Sequence, residues 1–200
     1  LGRQLHGVNS IKGIQEIVAQ AVQRLLKETA TSFRCEGIEK LDQDESYLFI
    51  SNHRDIAGDS MLLNYALHRS DYETARIAVG DNLIQRPFAT DLMKLNKSFF
   101  IKRSGKDKRS VYKALAHASE YIQNSLREGS SIWIAQSEGR AKDGIDRTDP
   151  AVIKMLTLHD RKRDFAEHIA SLKIVPMSLA YEFDPCDEMK ARELTSIAQT

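Results

Sequence analysis

The residues of this 200-residue chain that are best suited to chemistry form three polar clusters, each directly after a short apolar run. A histidine, several arginines and carboxylates at such positions suit proton transfer and the binding of an anion. Because a loop after any strand tends to be polar, one cluster alone signifies little, whereas three in succession favour a shared site. The clusters are Asn52-His53-Arg54-Asp55, Lys102-Arg103-Ser104-Gly105 and Gln136-Ser137-Glu138-Gly139-Arg140.

His53 is the candidate general base of the first cluster. An imidazole takes a proton from a hydroxyl when a carboxylate fixes its tautomer and stabilises the imidazolium. Asp55 and Asp59 are both candidates, but residues two or six positions apart point away from each other on a helix with about 100° per residue. The pair must therefore span a turn, and we expect Gly58 to supply it with a positive φ. A histidine beside an aspartate is also often purely structural.

Positive charge is densest over residues 102–109, next to the second cluster. Arg103 lies nearest to the end of the apolar run, and Arg140 occupies a similar position after another one. A guanidinium at such a position can bind two oxygens of one phosphate group. We therefore predict a small pocket for a phosphate monoester, although the basic stretch also suits a solvated helix start.

Composition and missing motifs exclude several classes of protein. The 29 Lys and Arg residues balance 28 Asp and Glu residues, and this net charge of +1 disfavours a broad nucleic-acid-binding surface. The chain lacks G-x-S-x-G, G-x-G-x-x-G, H-E-x-x-H and Walker patterns, which excludes serine hydrolases, dinucleotide enzymes, zinc proteases and P-loop ATPases. Cys35 and Cys186 lack C-x-x-C spacing, so we predict free thiols in a reducing compartment. Base catalysis on a hydroxyl next to a phosphate remains.

Apolar runs typical of strands alternate along the chain with helical patterns. This alternation predicts an α/β fold with a mostly parallel central sheet flanked by helices. Ligands of such sheets bind beyond the carboxyl ends of the strands, so we expect the three clusters to converge on one crevice. The predicted strands are 47–51, 75–79, 98–101, 131–135 and 173–181, and the predicted helices are 60–67, 87–95, 108–127 and 148–171, the last with Thr148 as its cap and a break near Asp160.

The first predicted helix, residues 10–29, is amphipathic and either packs on the domain or lies on a membrane surface. No apolar run approaches the ~20 residues that span a bilayer, and the start is not a signal peptide. We divide the chain into this helical segment (1–30), a main domain (31–185) and the start of a C-terminal helical segment (186–200). Because the chain begins at Leu1 rather than Met, we expect flanking segments beyond both ends.

Four segments, in order, resemble the sequence blocks of the glycerolipid acyltransferase family, which includes glycerol-3-phosphate and 1-acylglycerol-3-phosphate acyltransferases. The matching segments lie between about residues 47 and 180, and their order and their positions after strands make the set specific. The resemblance implies a glycerol-3-phosphate acyltransferase-like fold, with residues 31–185 as the acyltransferase domain. The segments are Ile50-Ser51-Asn52-His53 with Asp59, Phe99-Phe100-Ile101-Lys102-Arg103-Ser104, Ser137-Glu138-Gly139-Arg140 and Ile174-Val175-Pro176-Met177.

The resemblance implies transfer of a fatty acyl group from acyl-CoA or acyl carrier protein to a hydroxyl of a glycerophosphate, in phospholipid synthesis. The acceptor would be glycerol 3-phosphate or 1-acylglycerol-3-phosphate. His53 would deprotonate the acceptor hydroxyl, and Asp59 would orient the imidazole. Arg103, with Lys102 and Arg140, would hold the acceptor phosphate.

The resemblance also assigns supporting roles. Glu138 and Gly139 would shape the acceptor site, and Val175 and Pro176 would line the side that binds the acyl chain. No metal or bound cofactor is required. We expect the protein to act peripherally at the cytoplasmic face of the membrane.

Two departures from the family pattern bear on these assignments. Family members usually have four residues between His and Asp, a spacing that here ends on Gly58, whereas Asp59 leaves five. We favour Asp59 over Asp55 because it precedes an apolar helix, as the family aspartate does. The third block usually reads Pro-Glu-Gly-Thr-Arg, but here Ser137 replaces the proline and the threonine is absent, which moves Arg140 by one residue.

Two other functions remain open on these residues. A thioester hydrolase would use His53 to activate water, and a non-catalytic lipid- or phosphate-binding module would use only the arginines. A divergent subfamily with a different acceptor is also compatible with the two departures.

Overall fold

Five strands form a single parallel sheet in the computed structural model, which describes residues 7–81, 91, 93–102, 105 and 107–198. All four neighbouring pairs of strands are parallel, in the order β3-β2-β4-β1-β5. The predicted α/β class is confirmed. The strands are β1 (Leu48–Ser51), β2 (Arg76–Gly80), β3 (Ser98–Ile101), β4 (Ile132–Ala135) and β5 (Ile174–Met177).

The last strand is shorter than predicted, because it ends at Met177 rather than at residue 181. Beyond it, the side chain of Asn52 takes over the pairing. Its Oδ1 accepts the amide of Leu179 at 2.8 Å, and its Nδ2 donates to the carbonyl of Leu179 at 2.9 Å. An asparagine side chain at the end of β1 therefore replaces the next residues of the strand ladder.

The predicted helices 10–29, 60–67 and 108–127 form with small changes of boundary, and the predicted helix 148–171 is divided in two. Asp149, not Thr148, caps α4, since its carboxylate accepts the amide of Ala151 at 2.8 Å. A short 3-10 turn at Leu158–Asp160 makes the expected break. The predicted helix 87–95 lies largely outside the described residues. The helices are α1 (Ile11–Thr29), α2 (Gly58–Arg69), α3 (Lys108–Arg127), α4 (Pro150–Leu156), α5 (Phe165–Ser171) and α6 (Asp187–Ala198).

Alternate residues of the central strands face two different helical layers. Leu48 of β1 is fully buried in a cluster that includes residues of α3, α4 and β4. Its neighbour Phe49 packs on the opposite face, with Leu63 and Leu67 of α2 and Trp133 of β4. Both faces of the sheet are therefore covered, as a parallel sheet requires.

The chain leaves β1 and β4 in opposite directions, although these strands are neighbours. From β1 it passes through α2 to β2, on the far side of β4, whereas from β4 it passes through α4 and α5 to β5, on the far side of β1. Such a topological switch point opens a crevice at the carboxyl ends of the two strands. The loops after β1 and β4 both border this crevice.

The amphipathic helix α1 lies against α2, where Val22 is buried. Its apolar stripe is only partly covered, since Ile11 and Leu25 are 50% and 45% exposed. Among the described helices, none has both the length and the apolar composition to cross a bilayer. Cys35 and Cys186 are exposed free thiols, as predicted.

Two histidines meet edge to face between α3 and the chain around α5. The ring centroids of His159 and His168 are 4.8 Å apart, and His168 is fully buried. His168 Nε2 lies 3.1 Å from the amide oxygen of Gln123, while its Nδ1 has no partner within the part of the chain that the structure describes. Burial lowers the pKa of both histidines, and the nearness of His159 further lowers that of His168.

This pair predicts a stability that declines on mild acidification. Because the histidine pKa is lower in the folded state, the unfolded chain binds more protons once the pH falls below the ordinary value of 6.5. Stability from these groups is therefore complete above that value and is lost below it. We expect a smaller free energy of unfolding at pH 5.5 than at pH 7.5 in denaturant titrations, and a smaller difference in His168→Gln.

The control is His117→Gln, which removes an exposed histidine of α3 that is not part of this pair. This variant should keep the wild-type difference between the two pH values. An equal difference in His168→Gln and in the wild type would contradict the assignment.

Candidate active site

His53 follows β1, and Asp59 lies in the first turn of α2, so a short turn brings the two side chains together. His53 Nδ1 is 2.9 Å from Asp59 Oδ2. The Asp59 side chain is fully buried, whereas that of His53 is 15% exposed. Since a carboxylate only accepts hydrogen bonds, Nδ1 carries the ring proton and Nε2 keeps its lone pair. The arrangement leaves Nε2 as the nitrogen that can take a proton from another molecule.

The Asp59 carboxylate accepts four hydrogen bonds from the part of the chain that the structure describes, as many as its roughly four lone-pair sites. Besides His53, Oδ2 accepts the backbone amides of Arg54 at 2.7 Å and Asp55 at 3.0 Å. Oδ1 accepts the hydroxyl of Tyr181 at 2.9 Å. The amino-terminal end of α2 adds its partial positive charge. These donors replace the water that a buried carboxylate has lost, and they fix its orientation.

Asp55, the alternative partner of His53, has a different task in the structure. Its Oδ1 accepts the amides of Ala57 at 2.9 Å and Gly58 at 2.6 Å, at the start of α2. It therefore supplies hydrogen bonds to a helix terminus that lacks intrahelical partners. The structure pairs His53 with Asp59 and uses Asp55 to form the turn between them.

The prediction that Gly58 makes this turn with a positive φ is wrong. Gly58 is the first residue of α2 and is not one of the glycines with positive φ. The glycine instead leaves space for two neighbouring side chains. A Cβ atom at this position would lie 3.1 Å from Asp55 Oδ1 and 3.1 Å from the hydroxyl oxygen of Tyr181, closer than ordinary contacts.

The aromatic ring of Trp133 supports the His53 side of the loop. The Trp133 ring lies edge-on to the His53 ring, with centroids 6.1 Å apart. Its indole N–H donates to Ser51 Oγ at 3.0 Å, and that hydroxyl donates to the carbonyl of Asn52 at 2.7 Å. Trp133 is on β4, so the strand next to β1 restricts where His53 can lie.

Arg54 holds the other side of the loop through hydrogen bonds and ion pairs that the sequence did not predict. Its guanidinium donates to the carbonyl of Gly144 at 3.1 Å and to Asp146 Oδ2 at 2.9 Å, and it lies 3.8 Å from Asp184 Oδ1. The almost fully buried Lys190 of α6 donates from Nζ to the Arg54 carbonyl at 2.9 Å and also to Asp184. These partners are 90 or more positions away from Arg54 in the sequence. The sequence therefore offered only one local indication of these contacts, an arginine beside His53.

The third predicted cluster reaches the same crevice from β4. The amide of Gln136 donates to the carbonyl of Ser51 at 2.7 Å, and the amide of Ala141 donates to the carbonyl of His53 at 2.9 Å. The turn between these bonds contains Glu138, which is exposed, and Gly139, which has a φ of 77°. Arg140, half-buried, therefore lies one residue from the amide that contacts His53.

Of the second cluster, Lys102 lies farther away. Lys102 follows β3 and is exposed, whereas Arg103 is outside the described residues. Strands β2 and β4 separate β3 from β1, and three strand spacings amount to about 14 Å. The structure thus brings together the clusters after β1 and β4, while Lys102 starts from the far edge of the sheet.

The two predicted residues of β5 lie next to β1. Val175 pairs with Phe49 and packs in the cluster under α2, and Pro176 pairs with Ile50 and is exposed. A proline is tolerated there because β5 is an edge strand and needs no donor on its outer side.

Comparisons with known proteins bear on the fold and on the family of the chain. In the solved structures, the chain is similar to the crystal structure of the 1-acyl-sn-glycerophosphate (LPA) acyltransferase PlsC from Thermotoga maritima, with a TM-score of 0.51 and 13% sequence identity. The match covers 99% of this chain and 86% of that one, and it supports the fold. No curated protein matches the chain. Residues 32–181, most of its length, match the model of the acyltransferase family, and the chain therefore belongs to that family.

Proposed function

We propose that the chain transfers a fatty acyl group from an acyl thioester, acyl-CoA or acyl carrier protein, to a hydroxyl of a glycerophosphate. The observation that carries this proposal is the 2.9 Å contact between His53 Nδ1 and the buried Asp59 carboxylate, at the crevice between β1 and β4. Membership of the acyltransferase family supports acyl transfer as the reaction. The solved PlsC structure, described as an acyltransferase of 1-acyl-sn-glycerophosphate, favours a glycerophosphate acceptor.

In the proposed reaction, His53 Nε2 removes the proton of the acceptor hydroxyl while that oxygen attacks the thioester carbonyl. A new C–O bond forms, and the carbonyl oxygen carries the negative charge of the tetrahedral intermediate. When the intermediate collapses, the C–S bond breaks and the thiolate leaves with the proton from the imidazolium. Asp59 keeps Nδ1 protonated throughout and stabilises the positive ring.

The acceptor phosphate is assigned to the basic side chains after β3 and β4. Arg140 is the nearest of them to His53 along the hydrogen-bonded backbone, because the next residue, Ala141, donates to the His53 carbonyl. Lys102 would approach from the far edge of the sheet. Arg103 is assigned to the same phosphate, and Glu138 and Gly139 would shape the acceptor site. Val175 and Pro176 remain the assigned residues of the acyl side.

We also propose a peripheral site of action at the cytoplasmic face of a membrane, where an acyl acceptor with a lipid chain is found. The partly uncovered apolar stripe of α1, with Ile11 and Leu25 about half exposed, supports contact with a lipid surface. The proposed chemistry uses the side chains of the protein and requires no bound cofactor.

The first test is His53→Ala, assayed with a long-chain acyl-CoA and either 1-acylglycerol-3-phosphate or glycerol 3-phosphate. Loss of the base should lower kcat by about 10²–10⁴-fold, because this is the usual contribution of general base catalysis. Mass spectrometry of the acylated product measures the rate, and circular dichroism checks that the fold is retained. His117→Gln, an exposed histidine on α3, should keep the wild-type rate.

Unchanged activity in a folded His53→Ala protein would contradict the proposal. Release of free fatty acid at a rate independent of the acceptor would identify a thioester hydrolase instead. Binding of the glycerophosphate without any acyl transfer, and without an effect of His53→Ala, would identify a binding module.

The second test concerns the phosphate site. Arg140→Ala should raise KM for the acceptor by about 10–100-fold, because a hydrogen bond to a charged group contributes roughly 1.5–3 kcal/mol. The KM for acyl-CoA should not change. Arg147→Ala is the matched control, since Arg147 is an exposed arginine of the same loop that pairs with Asp143. An acceptor KM that is the same in Arg140→Ala and Arg147→Ala would contradict the role of Arg140.

A further inference from the structure

Tyr181, in the loop after β5, places its hydroxyl on the buried carboxylate that holds His53. The hydroxyl donates to Asp59 Oδ1 at 2.9 Å, while Oδ2 of the same carboxylate lies 2.9 Å from His53 Nδ1. We propose that Tyr181 is a positioning residue, which sets the orientation of the Asp59 carboxylate and thereby the ring proton of His53. The kinetic consequence of this role rests on the function proposed above, whereas its effect on the His53 ring does not.

The orientation of an aspartate carboxylate is not set by its own torsion, because rotation about the Cβ–Cγ bond has broad minima. Donors must therefore fix it. Of the four hydrogen bonds that the described residues donate to Asp59, three meet at Oδ2 and that of Tyr181 meets Oδ1. Without the Tyr181 hydroxyl, Oδ1 is a buried charged oxygen that has lost its hydrogen-bond donor. Rotation of the carboxylate would bring Oδ1 toward the donors at Oδ2, and it would weaken the hydrogen bonds that Oδ2 accepts, including the one from His53.

Gly58 provides an independent sign that the Tyr181 hydroxyl packs closely on the turn between His53 and Asp59. A Cβ atom on residue 58 would lie 3.1 Å from that oxygen. Residue 58 is also where the family spacing of four residues would end, whereas here the aspartate comes one residue later. The longer turn between His53 and Asp59 thus has a residue without a side chain, Gly58, where it comes close to the Tyr181 hydroxyl.

The chemistry of Tyr181 suits a permanent donor. Burial raises the pKa of its hydroxyl strongly, and the negative charge of Asp59 and the hydrogen bond to it raise the pKa further. Asp55 and Asp184, which also face Tyr181, act in the same direction. The phenol therefore stays protonated over the pH range in which a histidine base works.

The test is Tyr181→Phe, which keeps the ring and removes only the hydroxyl. The direct readout is the proton resonance of His53 Nδ1–H in ¹H–¹⁵N spectra of the whole chain, assigned through its loss in His53→Gln. We expect this resonance to shift and to exchange faster with solvent in Tyr181→Phe. The matched control is Tyr72→Phe, which removes a hydroxyl that donates to the carbonyl of Leu41 at 2.7 Å, outside the loop from 53 to 59.

The kinetic readout is the split between kcat and KM. Tyr181→Phe should lower kcat about tenfold and leave both KM values unchanged, because Tyr181 acts through Asp59 rather than on a substrate. Tyr72→Phe should change neither parameter. A His53 Nδ1–H resonance that is the same in Tyr181→Phe and in the wild type would overturn the proposal, whatever the kinetics.

Gly58→Ala supplies a second variant for a double-mutant cycle. If the added methyl group acts by displacing the Tyr181 hydroxyl, it should disturb the His53 resonance by itself and add no further shift in Tyr181→Phe. Full additivity would assign its effect to Asp55 and would contradict the link between Gly58 and Tyr181. If the resonance responds as expected but no acyl transfer occurs in the wild type, the positioning role stands and the proposed function fails.

Discussion

A carboxylate that is removed from water must find its hydrogen-bond donors within the protein, and most of the site can be understood from how Asp59 finds them. Two donors are amides of the turn that it follows, one is the imidazole of His53, and one is the hydroxyl of Tyr181. The turn, the histidine and the loop after β5 are thus arranged around one buried charge. The arrangement orients the imidazole of His53. Its Nδ1 carries the proton that faces Asp59, so its Nε2 keeps the lone pair that can accept a proton from a substrate.

The same loop is held from its other side by an opposite charge. Arg54 connects the loop after β4 and the segment before α6 through Asp146 and Asp184, and Lys190 returns from α6 to the Arg54 carbonyl. The parallel sheet makes these contacts possible, because β4, β1 and β5 are neighbours and their carboxyl ends meet at one edge. The ends of neighbouring strands therefore carry the short segments that position His53.

Local patterns in the sequence predicted much of this architecture. Four of the five strands lie within one residue of their predicted bounds at each end, because short apolar runs between helical stretches are a local signal. His53 was also predictable from its residue type and its place after a strand, whereas the choice of Asp59 over Asp55 rested on the resemblance to the acyltransferase family. The order of the strands was not predictable, and it places β3, which Lys102 follows, about three strand spacings, roughly 14 Å, from β1, which His53 follows.

Contacts between distant parts of the chain explain what local patterns could not predict. Tyr181 is 122 positions from Asp59, and Lys190 is 136 positions from Arg54. Gly58 was expected to turn the chain, but Asp55 makes the turn and the glycine leaves room for Tyr181. The sequence shows where a glycine stands, and the fold shows whether its backbone or its neighbours make use of the missing side chain.

The central claim is that His53 and Asp59 act as one catalytic unit in acyl transfer. The most direct measurement is kcat for His53→Gln, for Asp59→Asn and for the double variant, with an acyl-CoA and a glycerophosphate acceptor. If Asp59 acts through His53, the double variant should be no slower than His53→Gln alone. Losses that multiply in the double variant, or an Asp59→Asn protein as fast as the wild type, would contradict the account.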